Sequence, residues 1–156
     1  MPVSPPPSPS EPSRRRILVL NGPNLNLLGR REPEIYGHAT LADMEALLEA
    51  RSEELGLRVE CRQSNHEGVL IDWLQQAEAE GFATVLLNAG AYTHTSIALL
   101  DAIRAIALPV IEVHLSDPSQ REEFRQLSYV GMAAADTVQG LGAQSYVVAL
   151  ERAAAL

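Results

Sequence analysis

Five short apolar runs rich in β-branched residues alternate with amphipathic segments along this chain. That alternation restricts the fold more than any other feature. ILVLN (17–21), LRVECR (57–62), FATVLLN (82–88), PVIEVHL (109–115) and DTVQG (136–140) read as strands. Between the first two, TLADMEALLEARSEELG (40–56) offers Thr40 as N-cap and Asp43 three residues later. It also has apolar spacing at Leu41, Met44, Leu47 and Leu48, with Gly56 as a stop, so a helix is expected. HEGVLIDWLQQAEAEG (66–81), THTSIALLDAIRAI (93–106), the short DPSQREEFRQ (117–126) and AQSYVVALERAAA (143–155) read as further helices. Strand and helix in turn imply a parallel sheet covered on both faces. The expected fold is α/β: a flavodoxin-like, doubly wound, five-stranded parallel sheet in a three-layer α/β/α arrangement. Residues 1–15 begin MPVSPPPSPSEPS and read as a disordered Pro/Ser-rich tail, followed by one catalytic domain over 16–156.

Composition narrows the chemistry. All twelve basic residues are arginine and there is no lysine. Schiff-base catalysis and a P-loop both need a lysine, so both are excluded. A single cysteine, Cys61, forms no internal disulfide and no cysteine metal cluster. The net charge of −8 argues against a general nucleic-acid binder, though it allows a local cationic pocket. No run of apolar residues is long enough for a membrane span, and no signal-peptide core is visible, so a cytoplasmic protein is expected. Proton transfer must fall to His, Tyr, Asp or Glu.

In a doubly wound sheet the ligand site lies beyond the carboxyl ends of the strands. Asn21 and Asn24 follow the first strand, then Arg30, Arg31 and Tyr36 in NGPNLNLLGRREPEIYG (21–37). Asn88, Tyr92 and His94 follow the third strand. Glu112 and His114 share one face of the fourth, with Ser116 just beyond. Taken singly, most of these have bland readings. Asn24 and Asn88 suit turns, Tyr36 suits packing and Trp73 belongs to the core. His38 and His66 read as solvated or capping groups. Arg121 and Arg125, four apart, read as surface ion pairs with nearby glutamates. His94 stands evenly between the two readings. His114 is stronger, because a buried parallel strand should be nearly all apolar and Glu112 lies beside it. Convergence on one crevice favours a site for a small, oxygen-rich anion. A phenol titrates near pH ~10, and an arginine beside it favours the phenolate. No GxGxxG follows the first strand, and no metal-ligand spacing is present.

NGPNLNLLGRREPEIYG, QSNHEGVLIDWL (63–74), LNAGAYTHTSIAL (87–99), IEVHLSDPSQREEFR (111–125) and GLGAQSYVVAL (140–150) together closely resemble the type II 3-dehydroquinate dehydratases, in order from about residue 16 to 152. The resemblance implies a flavodoxin-like fold, a dodecamer built from trimers, and metal- and cofactor-free dehydration of 3-dehydroquinate to 3-dehydroshikimate in the shikimate pathway. By motif, Tyr36 would be the general base and Arg31 its activating cation, with Arg30 the lesser partner. Asn24 would stabilise an enolate through a water, His114 would be the general acid and Glu112 would orient it. Substrate contacts would come from Asn88, His94, the backbone amides of Leu115 and Ser116, and Arg125. Asp101 would reach a neighbouring subunit's site, and Arg121 is a weaker candidate, read as structural. Asp117, Ser119 and Gln120 depart from the usual Asn-x-x-Ala, Leu100 stands where arginine is common, and Gln139 and Ser145 vary the last block. A flavin- or phosphate-binding module, a response-regulator-like switch and a catalytically dead relative are the competing readings. The switch needs an aspartate where Asn88 stands, and a lysine.

Overall fold

The computed structural model describes residues 14–30 and 32–156. The expected tail therefore lies, up to residue 13, outside the described residues, as does Arg31. Five strands, β1 (Arg15–Asn21), β2 (Leu57–Gln63), β3 (Phe82–Asn88), β4 (Val110–Val113) and β5 (Asp136–Val138), form one parallel sheet in the order β2-β1-β3-β4-β5. This is the flavodoxin-like order, with its switch point between β1 and β3.

The pleat divides the core. Ile17 and Val19 face one layer, where Met44 and Leu48 of α2 (Leu41–Leu55) and Tyr146, Ala149, Leu150 and Ala153 of α5 (Gln144–Ala154) pack. Leu18 and Leu20 face the other, with Leu70 and Leu74 of α3 (Glu67–Gln76) and Leu99, Ala102 and Ile103 of α4 (Ile97–Ala105). Trp73 packs against that second layer, with the Arg62 guanidinium 5.6 Å from its ring centroid.

Helix ends follow local chemistry. Thr40 and Asp43 form the expected capping box, at 3.1 and 2.9 Å. Gly56 ends α2 at φ 70°, the left-handed conformation a side chain disfavours. Arg15 already belongs to β1, and its guanidinium donates to the carbonyls of Ala154, the last residue of α5, and Leu156.

Four segments differ from expectation. The helix expected over 66–81 stops at Gln76, and residues 77–80 form turns. The loop before α2 contains a one-turn helix, α1 (Pro33–Tyr36), with proline in its first turn, where a missing N–H costs nothing. The helix expected from residue 93 starts later. Gly90–His94 makes a 3₁₀ turn, and Ser96 caps α4 by accepting the Leu99 N–H at 2.9 Å. Residues 117–126 form two 3₁₀ turns, Pro118–Gln120 and Glu123–Arg125, because Arg121 between them is extended (φ −109°, ψ −164°). Arg121 and Arg125 thus do not share a helix face.

At the switch point the β1 and β3 ends approach closely. Gly22 N–H donates to the Asn88 carbonyl at 2.8 Å, and a Cβ on Gly22 would lie 2.5 Å from the Ala89 carbonyl oxygen. Gly22→Ala is therefore expected to cost about 1–3 kcal/mol through overpacking. Thermal unfolding should show a Tm several degrees lower, and an unchanged Tm would show that this approach is not tight.

Candidate active site

A cavity of about 160 Å³ opens at the carboxyl ends of β1, β3 and β4. That lies below the roughly 300–1,000 Å³ of sites for drug-sized ligands, so it suits one small ring rather than a nucleotide. Its walls include Asn24, Asn88, His94, His114, Leu115 and Ser116. Tyr36, Arg121 and Arg125 close it from the irregular segments above the sheet. Among the described lining residues there is no aspartate or glutamate, so the cavity is cationic in a chain of net charge −8.

Its acidic partner lies beneath. Glu112, 3% exposed on β4, accepts from His114 Nε2 at 2.8 Å and Thr137 Oγ1 at 2.8 Å, and makes a short hydrogen bond with Ser128 Oγ. Ser128 Oγ takes the Gly131 N–H at 2.8 Å, so its own proton goes to Glu112. Burial alone would raise the Glu112 pKa. The hydrogen bonds and charge of His114, with those of Ser128 and Thr137, outweigh it and hold the carboxyl below its usual range. His114 Nε2 therefore carries a proton, and Nδ1 is the ring atom left for a ligand.

His94 is set differently. Its Nδ1 lies 2.7 Å from the Leu127 carbonyl, an obligate acceptor, so Nδ1 carries the proton and Nε2 is the free lone pair. Burial lowers its pKa, so the ring stays neutral to lower pH than a free imidazole. The two imidazoles stack, with centroids 6.4 Å apart.

Tyr36 ends α1 and lines the same cavity. The described cation beside it is Arg121, whose Nη1 donates to the phenol oxygen at 2.9 Å and whose guanidinium lies 5.3 Å from the ring centroid. Arg121 is thus a wall of the site, and the ion-pair reading keeps only a 3.9 Å approach to Glu122. Arg125 both lines the cavity and pairs with Glu122 at 2.8 Å. Asn24 sits at φ 69°, a left-handed position asparagine tolerates, and its N–H donates to Asn65 Oδ1 at 3.0 Å. Asp101 is exposed on α4 and is not among this cavity's lining residues. Burial raises the Cys61 thiol to about 12, which leaves it no use as a nucleophile. Among the described residues, no group of three or more His, Cys, Asp or Glu side chains is placed to hold a metal ion.

Three of the family departures contact one another. Asp117 Oδ1 accepts from the Ser119 amide (3.0 Å), from Ser119 Oγ (2.7 Å) and from Gln139 Nε2 (3.3 Å), tying the turn before Arg121 to the end of β5. Sequence reasoning missed Ser128 and Thr137. The one available signal was that a buried strand glutamate needs donors. Thr137 is the register partner of Glu112 on β5, which only the sheet order reveals.

The fold and site define a flavodoxin-like α/β protein with a phenol and an imidazole–carboxylate pair facing one small cationic cavity. A family model described as dehydroquinase class II matches residues 15–154. A 3-dehydroquinate dehydratase of Phenylobacterium zucineum is 58% identical over 140 residues, covering 90% of this chain and 96% of its own. That of Thermus thermophilus is 60% identical over 134 residues, covering 86% and 90%. The crystal structure of a type II dehydroquinase from Butyrivibrio crossotus superposes with a TM-score of 0.88 at 39% identity, covering 90% of this chain and 97% of its own. Its counterpart from Propionibacterium acnes gives 0.85 at 44%, covering 92% and 100%. The chain belongs to the class II dehydroquinase family.

The Glu112 cluster predicts a pH effect. A carboxyl whose folded pKa is depressed contributes stability above its unfolded pKa, which is lost as pH falls through the folded value. Ser128→Ala removes one of the donors. It should cost about 1–2 kcal/mol at neutral pH and start acid unfolding at a higher pH than in the parent. Circular dichroism against pH reads this, and coincident acid transitions would refute it.

Proposed function

We propose that the chain dehydrates 3-dehydroquinate to 3-dehydroshikimate, with protein side chains supplying both proton transfers. Family membership and the names of its relatives carry the reaction: the chain is a 3-dehydroquinate dehydratase, a hydro-lyase of the shikimate pathway. The observation that supports the residue assignment is that one cavity is lined both by Tyr36, whose oxygen takes a guanidinium N–H, and by His114, which is paired with Glu112.

Tyr36, as phenolate, takes a proton from the carbon next to the ketone, and an enolate forms. Arg121 Nη1 donates to the Tyr36 oxygen at 2.9 Å and fixes where that oxygen sits. Arg31, outside the described residues, is the cation assigned on the family motif to activate it. Asn24 stabilises the enolate oxygen through a bound water. The enolate then expels the hydroxyl, which His114 protonates from Nδ1, and water leaves. Glu112 compensates the charge that His114 carries while it holds two protons.

The substrate carboxylate meets Asn88 and the amides of Leu115 and Ser116, and its hydroxyls meet Arg125 and His94. The free Nε2 of His94 accepts an O–H. We also assign to the chain a cytoplasmic setting and a dodecamer of trimers in which Asp101 serves a neighbouring site. Two facts are compatible with this: Asp101 is exposed outside its own cavity, and among the described residues no helix is long and apolar enough to cross a membrane. Light scattering on purified protein gives the subunit count.

The product is a conjugated enone, so ultraviolet absorbance should rise catalytically when chelator-treated protein meets 3-dehydroquinate. No rise from folded protein would overturn the function. Tyr36→Phe should lower kcat by about 10²–10⁴, with circular dichroism unchanged. Near-normal turnover would remove Tyr36 as the base. Arg121→Ala should lower kcat/KM by roughly 10–100-fold, one charge-assisted hydrogen bond, with circular dichroism unchanged. An unaltered kcat/KM would leave Arg121 without a role at the Tyr36 oxygen.

A further inference from the structure

Beneath the cavity floor a buried polar chain ties Asn88 to two residues that the reaction scheme leaves unused. Asn21 and Asn88 are register partners at the end of the β1–β3 ladder, and Tyr146 reaches both from α5. All three are buried. The direction of each hydrogen bond follows from one backbone group. The Gly90 N–H can only donate, so it takes Asn88 Oδ1, at 3.2 Å. Nδ2 must then face Tyr146, whose oxygen accepts at 3.0 Å. That oxygen's own proton goes to Asn21 Oδ1 in a short hydrogen bond. Burial raises the Tyr146 pKa, so this donor persists across the working range.

We propose that Tyr146, held by Asn21, is a positioning residue for the substrate carboxylate: it clamps the Asn88 amide so that the second N–H of Nδ2 faces the cavity. This rests on the reading of Asn88 as a carboxylate ligand. The amide torsion of asparagine is broad and roughly two-fold. Gly90 fixes only the oxygen side, and Tyr146 fixes the nitrogen side. Without the phenol oxygen the amide can rotate and turn its donor away from the ligand. Tyr146 touches no substrate atom, so its effect passes through Asn88 alone.

The test is steady-state kinetics and thermal unfolding of Tyr146→Phe, Asn21→Ala, Asn88→Ala and the Tyr146→Phe/Asn88→Ala double variant. Tyr146→Phe keeps the ring that packs the core, and Asn21→Ala probes the chain from its other end. Both should raise KM by about fivefold to tenfold with kcat within about twofold, the pattern of binding lost equally from ground and transition states. In the Asn88→Ala background, Tyr146→Phe should add less than about twofold to KM, since both act through one contact. A lower Tm with normal KM in Tyr146→Phe and Asn21→Ala would make the chain merely structural and overturn the proposal. So would an equal KM increase in both backgrounds. A normal KM for Asn88→Ala overturns the carboxylate reading and the clamp together. A raised KM there beside a normal one for Tyr146→Phe overturns the clamp alone.

Discussion

A parallel strand covered on both faces must be apolar to its last residue, and the architecture of this site follows from that constraint. Along β1, Ile17 and Val19 enter one helix layer and Leu18 and Leu20 the other, so no polar side chain falls between Arg16 and Asn21. β3 buries one small polar residue, Thr84, and otherwise keeps the apolar pattern up to Asn88. β4 breaks it at Glu112, where donors from β5 and from the loop carrying Ser128 converge. Polar groups therefore gather where the strands stop. Because the sheet order reverses beside β1, the loops there part and leave a crevice. The rule that builds the core also places the chemistry.

Around that crevice several polar atoms are confined to one role by a fixed partner. Three donors keep Glu112 a carboxylate, the Leu127 carbonyl sets the His94 tautomer, and the Gly90 amide orients Asn88. A backbone carbonyl or N–H cannot change its character with pH, so these anchors do not drift. Ready-made polarity of this kind spares reorganisation when charge develops on a bound ligand, which is where electrostatic catalysis gains most. The cost is burial of polar groups that must stay satisfied.

Much of this was legible in the sequence, and the parts that were not share a reason. The strands, the Thr40–Asp43 capping box, the Gly56 stop and the Glu112–His114 pair all depend on residues within a few positions of each other. Periodicity and local geometry report such neighbours. The Arg121–Tyr36 contact joins segments 85 residues apart, and Asn21–Tyr146 spans 125. Neither has a local signature. Arg121 was also disguised: beside Glu122 and Glu123 it reads as a surface ion pair, and the extended backbone that turns it toward Tyr36 breaks the expected helix. Thr137 became visible only with the β4–β5 register.

The two side chains proposed as acid and base, His114 and Tyr36, differ in what holds them. His114 follows a central strand, with its N–H on the Val138 carbonyl at 2.9 Å and its ring on a buried carboxylate. Tyr36 ends a four-residue helix, far too short to persist on its own in water. The oxygen of Tyr36 is met by Arg121, which lies between two 3₁₀ turns outside the sheet. His114 is therefore part of the folded core, whereas the contact of Tyr36 with the Arg121 guanidinium exists only while two irregular segments rest on each other. Both segments line the cavity, so an anion bound there contacts Arg121 and Arg125 and favours the docked arrangement. The proposed proton abstraction needs these segments together. The proposed base therefore rests on the parts of the fold least able to stand alone, whereas the proposed acid is held by the strand end.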